Sequence, residues 1–299
     1  MNTVMALILS LIEGITEFLP ISSTGHLILA SQLLGVQQTE FVKNFAIAIQ
    51  SGAILAVIVL YFRRLLKDFR LWILVGLAFI PTGLIGLVFY QLIKNYLLGN
   101  SQVVLVSLFL GGIVIIILEK IYQPTLLVPR HPESSNFPLK KPITKFEHVR
   151  IPYGFEAKFR KRLTSNRSSG KIKSLNRLTW RQAILIGLIQ AISIIPGISR
   201  AAATIFGGLA LGLDRQSAVE FSFLLAIPTM IVATGFDLLK TSFTFTAQEI
   251  SLLTIGFIGA FITALITVKY LLKFIQHHNF VLFGYYRIFL AVIWWMAIS

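Results

Sequence analysis

The chain has 299 residues, of which 56% are hydrophobic and only 13% charged, and its mean hydropathy is +0.79. Soluble domains carry about a quarter charged residues, so a water-soluble globule is excluded and lipid is the expected solvent for most of the chain. Net charge is +15, but much of the excess lies in one stretch: residues 123–180 hold thirteen Lys and Arg against Glu133, Glu147 and Glu156. It reads as a positive-inside loop, so nucleic acid is not an expected partner. With no cysteine, disulfides, thiolate metal sites and thiol nucleophiles are excluded.

In chain order, the apolar stretch Val4–Ile12 has no basic residue before it, and Glu13 and Glu17 stand where a signal-peptide cleavage site would need small residues; it is expected to belong to the mature protein. Val4–Ile12 and Leu27–Leu34 are each too short to span and flank Glu13-Gly14-Ile15-Thr16-Glu17-Phe18-Leu19-Pro20-Ile21-Ser22-Ser23-Thr24-Gly25-His26, which predicts a re-entrant helical hairpin. Three spans follow: Phe45–Phe62, Leu71–Tyr90 and Gln102–Tyr122. After the basic loop, Ala183–Ile195 and Ala201–Leu211 flank Pro196-Gly197-Ile198-Ser199-Arg200 as a second hairpin. Val219–Leu238, Ile250–Leu272 and Phe280–Ile298 are three further spans.

The expectation is an all-α integral membrane protein of six transmembrane helices and two re-entrant hairpins. "LIEGITEFLPISS" aligns with "LIQAISIIPGIS", and "FAIAIQSGAIL" with "FSFLLAIPTMI", which predicts an internal duplication: a first repeat at 1–122, the basic cytoplasmic loop at 123–180, and a second repeat at 181–299. Three crossings per repeat invert the second copy, a design that places a polar site where broken helices meet. Arg63, Arg64, Lys67, Arg70, Lys269 and Lys273 then fall with the basic loop on the cytoplasmic side, and the first hairpin enters from the outside.

Ionisable groups at bilayer depth call for a reason. Glu13 and Glu17 share a helical face at i, i+4 spacing, and like charges so close need a proton or a cation between them; Mg²⁺ or Ca²⁺ suits carboxylate oxygens and substrate phosphates. Ser22-Ser23-Thr24-Gly25-His26 supplies hydroxyls, a permissive glycine and a proton carrier at a helix start, where free N–H groups favour phosphate. Arg200, between Ser199 and Thr204, offers forked donors for phosphate oxygens. Together they form a phosphate-handling constellation. Gln50 and Pro228 read as kink markers, and Tyr285 and Arg287 as interfacial anchors or ligands.

"EGITEFLPISSTGH" at 13–26 and "PGISRAAAT" at 196–204, with "FSFLLAIPTM" at 221–230 and "GYYRI" at 284–288, resemble the undecaprenyl-diphosphate phosphatases, or bacitracin-resistance proteins, over nearly the whole chain outside 123–180. The resemblance implies hydrolysis of undecaprenyl diphosphate to the monophosphate at the bacterial inner membrane, with recycling of the wall-polymer carrier and bacitracin resistance. It implies catalytic roles for Glu17, Ser23, His26 and Arg200 and metal binding by Glu13 and Glu17; Ser22, Thr24, Gly25, Gly197, Ser199 and Thr204 are the expected substrate contacts. In the mechanism this suggests, Ser23 or a water attacks and His26 moves the proton. The chain departs from the family in carrying Ala201 where serine is usual. The expected partners are the polyprenyl diphosphate and membrane lipids, with the monomer and the homodimer both open. The rival class is a transporter or flippase that binds the same headgroup uncleaved. A type 2 phosphatidate phosphatase would need a histidine shortly after the Ser199-Arg200 pair, and residues 201–213 contain none.

Overall fold

The computed structural model describes residues 1–37, 39–89, 91, 100–122, 175–238 and 245–298; the basic loop lies outside them as far as residue 174. The described residues form helices that we number α1 (Thr3–Thr16), α2 (Ser23–Leu33), α3 (Glu40–Lys67), α4 (Phe69–Val88), α5 (Ser101–Tyr122), α6 (Trp180–Gln190), α7 (Arg200–Ala210), α8 (Arg215–Leu238), α9 (Ala247–Phe274) and α10 (Val281–Ile298). A 3₁₀ turn, Ala191–Ile194, extends α6. Five of these helices, α3, α4, α5, α8 and α9, are long and apolar enough to cross a membrane, whereas α1, α6 with its 3₁₀ turn, and α10 are shorter apolar helices. Length and composition thus mark five crossings among the described residues, against the six expected.

Helix starts follow local chemistry. Asn2 caps α1 by accepting from Met5 N at 2.9 Å, and Thr179 with Gln182 and Thr246 with Glu249 form capping boxes on α6 and α9. Asp68 ends α3 and caps α4 by accepting from Leu71 N. Helices α3 and α8 run unbroken through Gln50 and Pro228, so neither residue ends a helix.

The surface is apolar and the interior is partly polar. Leu66, Leu87, Ile266, Phe289 and Met296 are exposed, while Glu13, Glu119, Gln190 and Arg287 are buried. A soluble monomer does not expose apolar area on this scale; lipid covers it without penalty. Helices approach closely where glycine allows: α1 packs on α9 and α6 on α4, and a Cβ on Gly187 would lie 1.8 Å from the Ala78 carbonyl oxygen. Gly187→Ala is therefore expected to lower stability by about 1–3 kcal/mol, read as a lower melting temperature in detergent; an unchanged melting temperature would contradict the α4–α6 contact. Helices α5 and α10 pair in the same way through Gly112 and Gly284, and α2 and α7 both contact α5.

Basic residues gather at one end of the bundle. Arg64 of α3 pairs with Glu220 of α8 at 2.5 Å, and Arg215 of α8 pairs with the buried Glu119 of α5. The C-terminal ends of α3 and α5 therefore lie beside the N-terminal end of α8.

Candidate functional site

Two helix breaks create the site. Between α1 and α2 the chain turns at Ser22, φ 73°, and between the 3₁₀ turn and α7 it turns at Ser199, φ 77°; these are the only non-glycine residues with positive φ among the described residues. Such backbone is strained for a side-chain-bearing residue and persists only where its surroundings hold it. Each serine caps the helix that follows, Ser22 accepting from Gly25 N at 3.4 Å and Ser199 from Ala202 N at 3.2 Å. The first helical residue after each break, Ser23 in one and Arg200 in the other, therefore projects from a fixed helix start.

Both reach Glu17, the residue that ends α1. Ser23 Oγ donates to Glu17 Oε2 at 2.5 Å, and Arg200 Nη2 donates to Glu17 Oε1 at 3.0 Å. The second arm of the guanidinium, Nη1, donates to the Ser222 carbonyl of α8 at 2.9 Å, and its carbon lies 5.8 Å from the centre of the Phe18 ring. A carboxylate with a hydroxyl on one oxygen and a guanidinium on the other can take the hydroxyl proton while the cation stays available to an anion.

A cavity of about 210 Å³ opens on this cluster. Glu17, Ser22, Ser23, Thr24, Gly197, Ser199 and Arg200 line it, so seven of the predicted site residues share one space drawn from both breaks. The other predicted residues lie elsewhere. Gly25 is packed against Val104 and Leu108 of α5. Thr204 is turned inward on α7 and donates to the Arg200 carbonyl at 2.9 Å, with the Ser222 hydroxyl 2.6 Å away, so it braces the start of α7 and does not border the cavity. His26 has Nδ1 2.7 Å from the Ser22 carbonyl and Nε2 2.7 Å from the Tyr286 hydroxyl. Among the described residues it is Glu17 that receives the Ser23 hydroxyl.

Glu13 lies one turn before Glu17, 1% exposed, with no hydrogen-bond donor on either oxygen. The charges that act on it are those of Glu17 and Arg200. Glu17 has its donors in Ser23 and Arg200, whereas Glu13, buried one turn away with none, calls for a proton or a further cation. No group of three or more His, Asp or Glu side chains is assembled for a metal among the described residues. A divalent ion here would take the two glutamates and complete its shell with water and phosphate oxygens, which is how Mg²⁺ is commonly held. The donor-free Glu13 carboxylate fits such an ion.

The sequence reading missed several residues. Gln50, Thr82, Ser193 and Thr229 form the uncharged side of the cavity; behind them the buried Gln190 donates to Thr82 Oγ1 at 2.9 Å and Thr229 Oγ1 at 3.2 Å. A Pro-Thr pair in each of two spans, at 81–82 and 228–229, was the available signal. Tyr286 was missed as the partner of His26. Arg287 is fully buried and donates only to backbone carbonyls, so it is no interfacial anchor; its position seven residues into an apolar run, about 10 Å deep, was the signal for a buried role.

These features define an all-helical membrane protein with a buried carboxylate–hydroxyl–guanidinium site at the meeting of two broken helices. The chain belongs to the bacitracin resistance protein BacA family, whose model matches residues 6–293. Among similar proteins, the undecaprenyl-diphosphatase of Aquifex aeolicus (strain VF5) is 45% identical, the alignment covering 97% of this chain and 96% of the relative. That of Sulfurihydrogenibium sp. (strain YO3AOP1) is 42% identical over 99% of each chain, and that of Persephonella marina is 41% identical over 98% of each chain.

Proposed function

We propose that this protein is an undecaprenyl-diphosphatase that hydrolyses undecaprenyl diphosphate to undecaprenyl phosphate and phosphate, recycling the lipid carrier for cell-wall synthesis and conferring bacitracin resistance. The observation that carries the reading is Glu17 bound at once by Ser23 from one break and Arg200 from the other, on a cavity of about 210 Å³. The terminal phosphate enters that cavity and takes donors from Arg200 and the free N–H groups at the starts of α2 and α7. Ser23 Oγ attacks the terminal phosphorus as Glu17 accepts its proton; the bridging P–O bond breaks and the prenyl phosphate leaves, taking that proton from Glu17. Water, deprotonated by the freed Glu17 carboxylate, then cleaves the phosphoserine to release phosphate, and Glu17 returns the proton to Ser23 Oγ. His26, held by Ser22 and Tyr286, fixes the geometry of the first break. A Mg²⁺ or Ca²⁺ ion held by Glu13 and Glu17 would supply neutralising charge for the phosphate oxygens.

The same reading gives the chain six crossings, with α10 as the sixth, and makes α1–α2 and α6–α7 re-entrant hairpins of inverted repeats at 1–122 and 181–299 in the bacterial inner membrane. It is supported by Ser22 and Ser199 at matching positions in the two breaks and by the pairing of α1 with α9 and of α6 with α4. The basic residues at one end of the bundle also support it. The test is phosphate release from undecaprenyl diphosphate by the purified protein in liposomes, with and without EDTA. Release abolished by EDTA and restored by Mg²⁺ or Ca²⁺ is the expected result, with Ser23→Ala at least about 100-fold slower. Full release in EDTA would remove the cation, and full release by Ser23→Ala would hand the attack to water.

A further inference from the structure

Arg287 is the largest fully buried side chain among the described residues, and it sits in no ion pair there. A guanidinium carries five N–H donors and no acceptor, and here they go to five backbone carbonyls on three segments. Nη1 donates to Pro20 O at 3.3 Å in the first break and to Ile198 O at 2.9 Å in the second. Nη2 donates to Gly197 O at 2.7 Å in the second break and to Ser107 O of α5 at 3.0 Å, and Nε donates to Leu108 O of α5 at 3.3 Å. The contacts are placed alike in the two breaks: Pro20 lies two residues before Ser22, and Gly197 two residues before Ser199.

Broken helices leave carbonyls without intrahelical donors, and at membrane depth no water is present to satisfy them. One guanidinium does so for both breaks and ties them to the same stretch of α5. The helix pair is shaped around it. A Cβ on Gly111 would lie 2.2 Å from Nη2, and α5 meets α10 at Gly112 and Gly284. Gly197, φ 94°, leaves no room for a Cβ against Val104 and Ser107, which keeps the second break pressed onto α5.

We propose that Arg287 is a positioning residue for the diphosphatase reaction: its guanidinium holds the two broken-helix loops in register, so that Ser23 from one and Arg200 from the other converge on Glu17. The proposal rests on the reading of the site given above. It assigns the role to the shape of the fork, because an ammonium is a compact charge with three donors that cannot span three segments.

The experiment compares Arg287→Lys, Arg287→Gln and Gly111→Ala, the last of which displaces the guanidinium and leaves the charge in place. Because the native chain has no cysteine, spin labels at Ile15→Cys and Ile195→Cys, both exposed beside their breaks, report the distance between the loops without background labelling. Arg287→Lys is expected to lose about 100-fold in kcat, the scale of a misplaced reacting group, with KM within about 3-fold of wild type and a broadened distance distribution. Gly111→Ala is expected to move both readouts in the same direction. A near-normal kcat with a narrow distribution in Arg287→Lys overturns the proposal, since charge alone would then suffice; so does a loss of kcat with the distribution unchanged. If Arg287→Gln fails to fold, the other two variants carry the test. If wild type releases no phosphate, the diphosphatase reading fails and the distances still decide whether Arg287 holds the loops.

Discussion

Folded, inserted Arg200→Ala protein is expected to release phosphate from undecaprenyl diphosphate about 100- to 1,000-fold more slowly than wild type, as a drop in kcat, because in the proposed mechanism it removes a donor to the developing phosphoryl charge. Arg200 also closes the cluster: it partners Glu17 and anchors to the Ser222 carbonyl of α8. Its loss leaves a buried carboxylate unpaired, which destabilises by about 3–5 kcal/mol, so turnover must be compared in samples matched for monodispersity and melting temperature. Arg200→Lys separates the two contributions. It keeps a cation beside Glu17 but loses the fork that holds Ser222 and Glu17 together, and it is expected to recover stability more than turnover. Wild-type kcat in Arg200→Lys would show that the fork has no catalytic part.

Glu17→Gln is expected to cost about 100- to 10,000-fold in kcat, the range of a general base. The amide is nearly the same size, so packing around α1 is kept. It cannot accept the Ser23 proton, and it presents an N–H₂ group where one of the two donors now points. Rates are to be measured at saturating substrate, since the effect is expected in the chemical step and not in binding. A Glu17→Gln protein that kept kcat and lost only KM would move Glu17 from proton transfer to binding.

Much of the fold was legible because membrane helices are written in long apolar runs. Phe45–Phe62, Gln102–Tyr122 and Ile250–Leu272 lie inside α3, α5 and α9, which extend beyond them by polar caps such as Thr39 and Thr246 that hydropathy does not count. The two breaks were legible through Pro20 and the Pro196-Gly197 pair. The site was half legible. Glu17, Ser23 and Arg200 stand out as polar groups in apolar sequence, but which of them touch depends on how two segments about 180 residues apart fold onto α5, and periodicity carries no such information. The resemblance implied that His26 moves the proton; its ring nitrogens lie against the Ser22 carbonyl and the Tyr286 hydroxyl of α10, a long-range contact that no local spacing announces. Arg287 was readable as an ion in a span, yet its five carbonyl partners belong to main chain and leave no trace in side-chain pattern.

The most direct test of the diphosphatase mechanism is a single-turnover mass balance with purified protein and undecaprenyl diphosphate, following phosphate and undecaprenyl phosphate together in wild type and in Glu17→Gln. Both products are expected in equal final amounts in wild type, undecaprenyl phosphate appearing no later than phosphate, and neither on that timescale in the variant. Wild-type protein that moves the lipid across a liposome bilayer and leaves the diphosphate intact would contradict the mechanism and make the Glu17–Ser23–Arg200 cluster a binding site for transport.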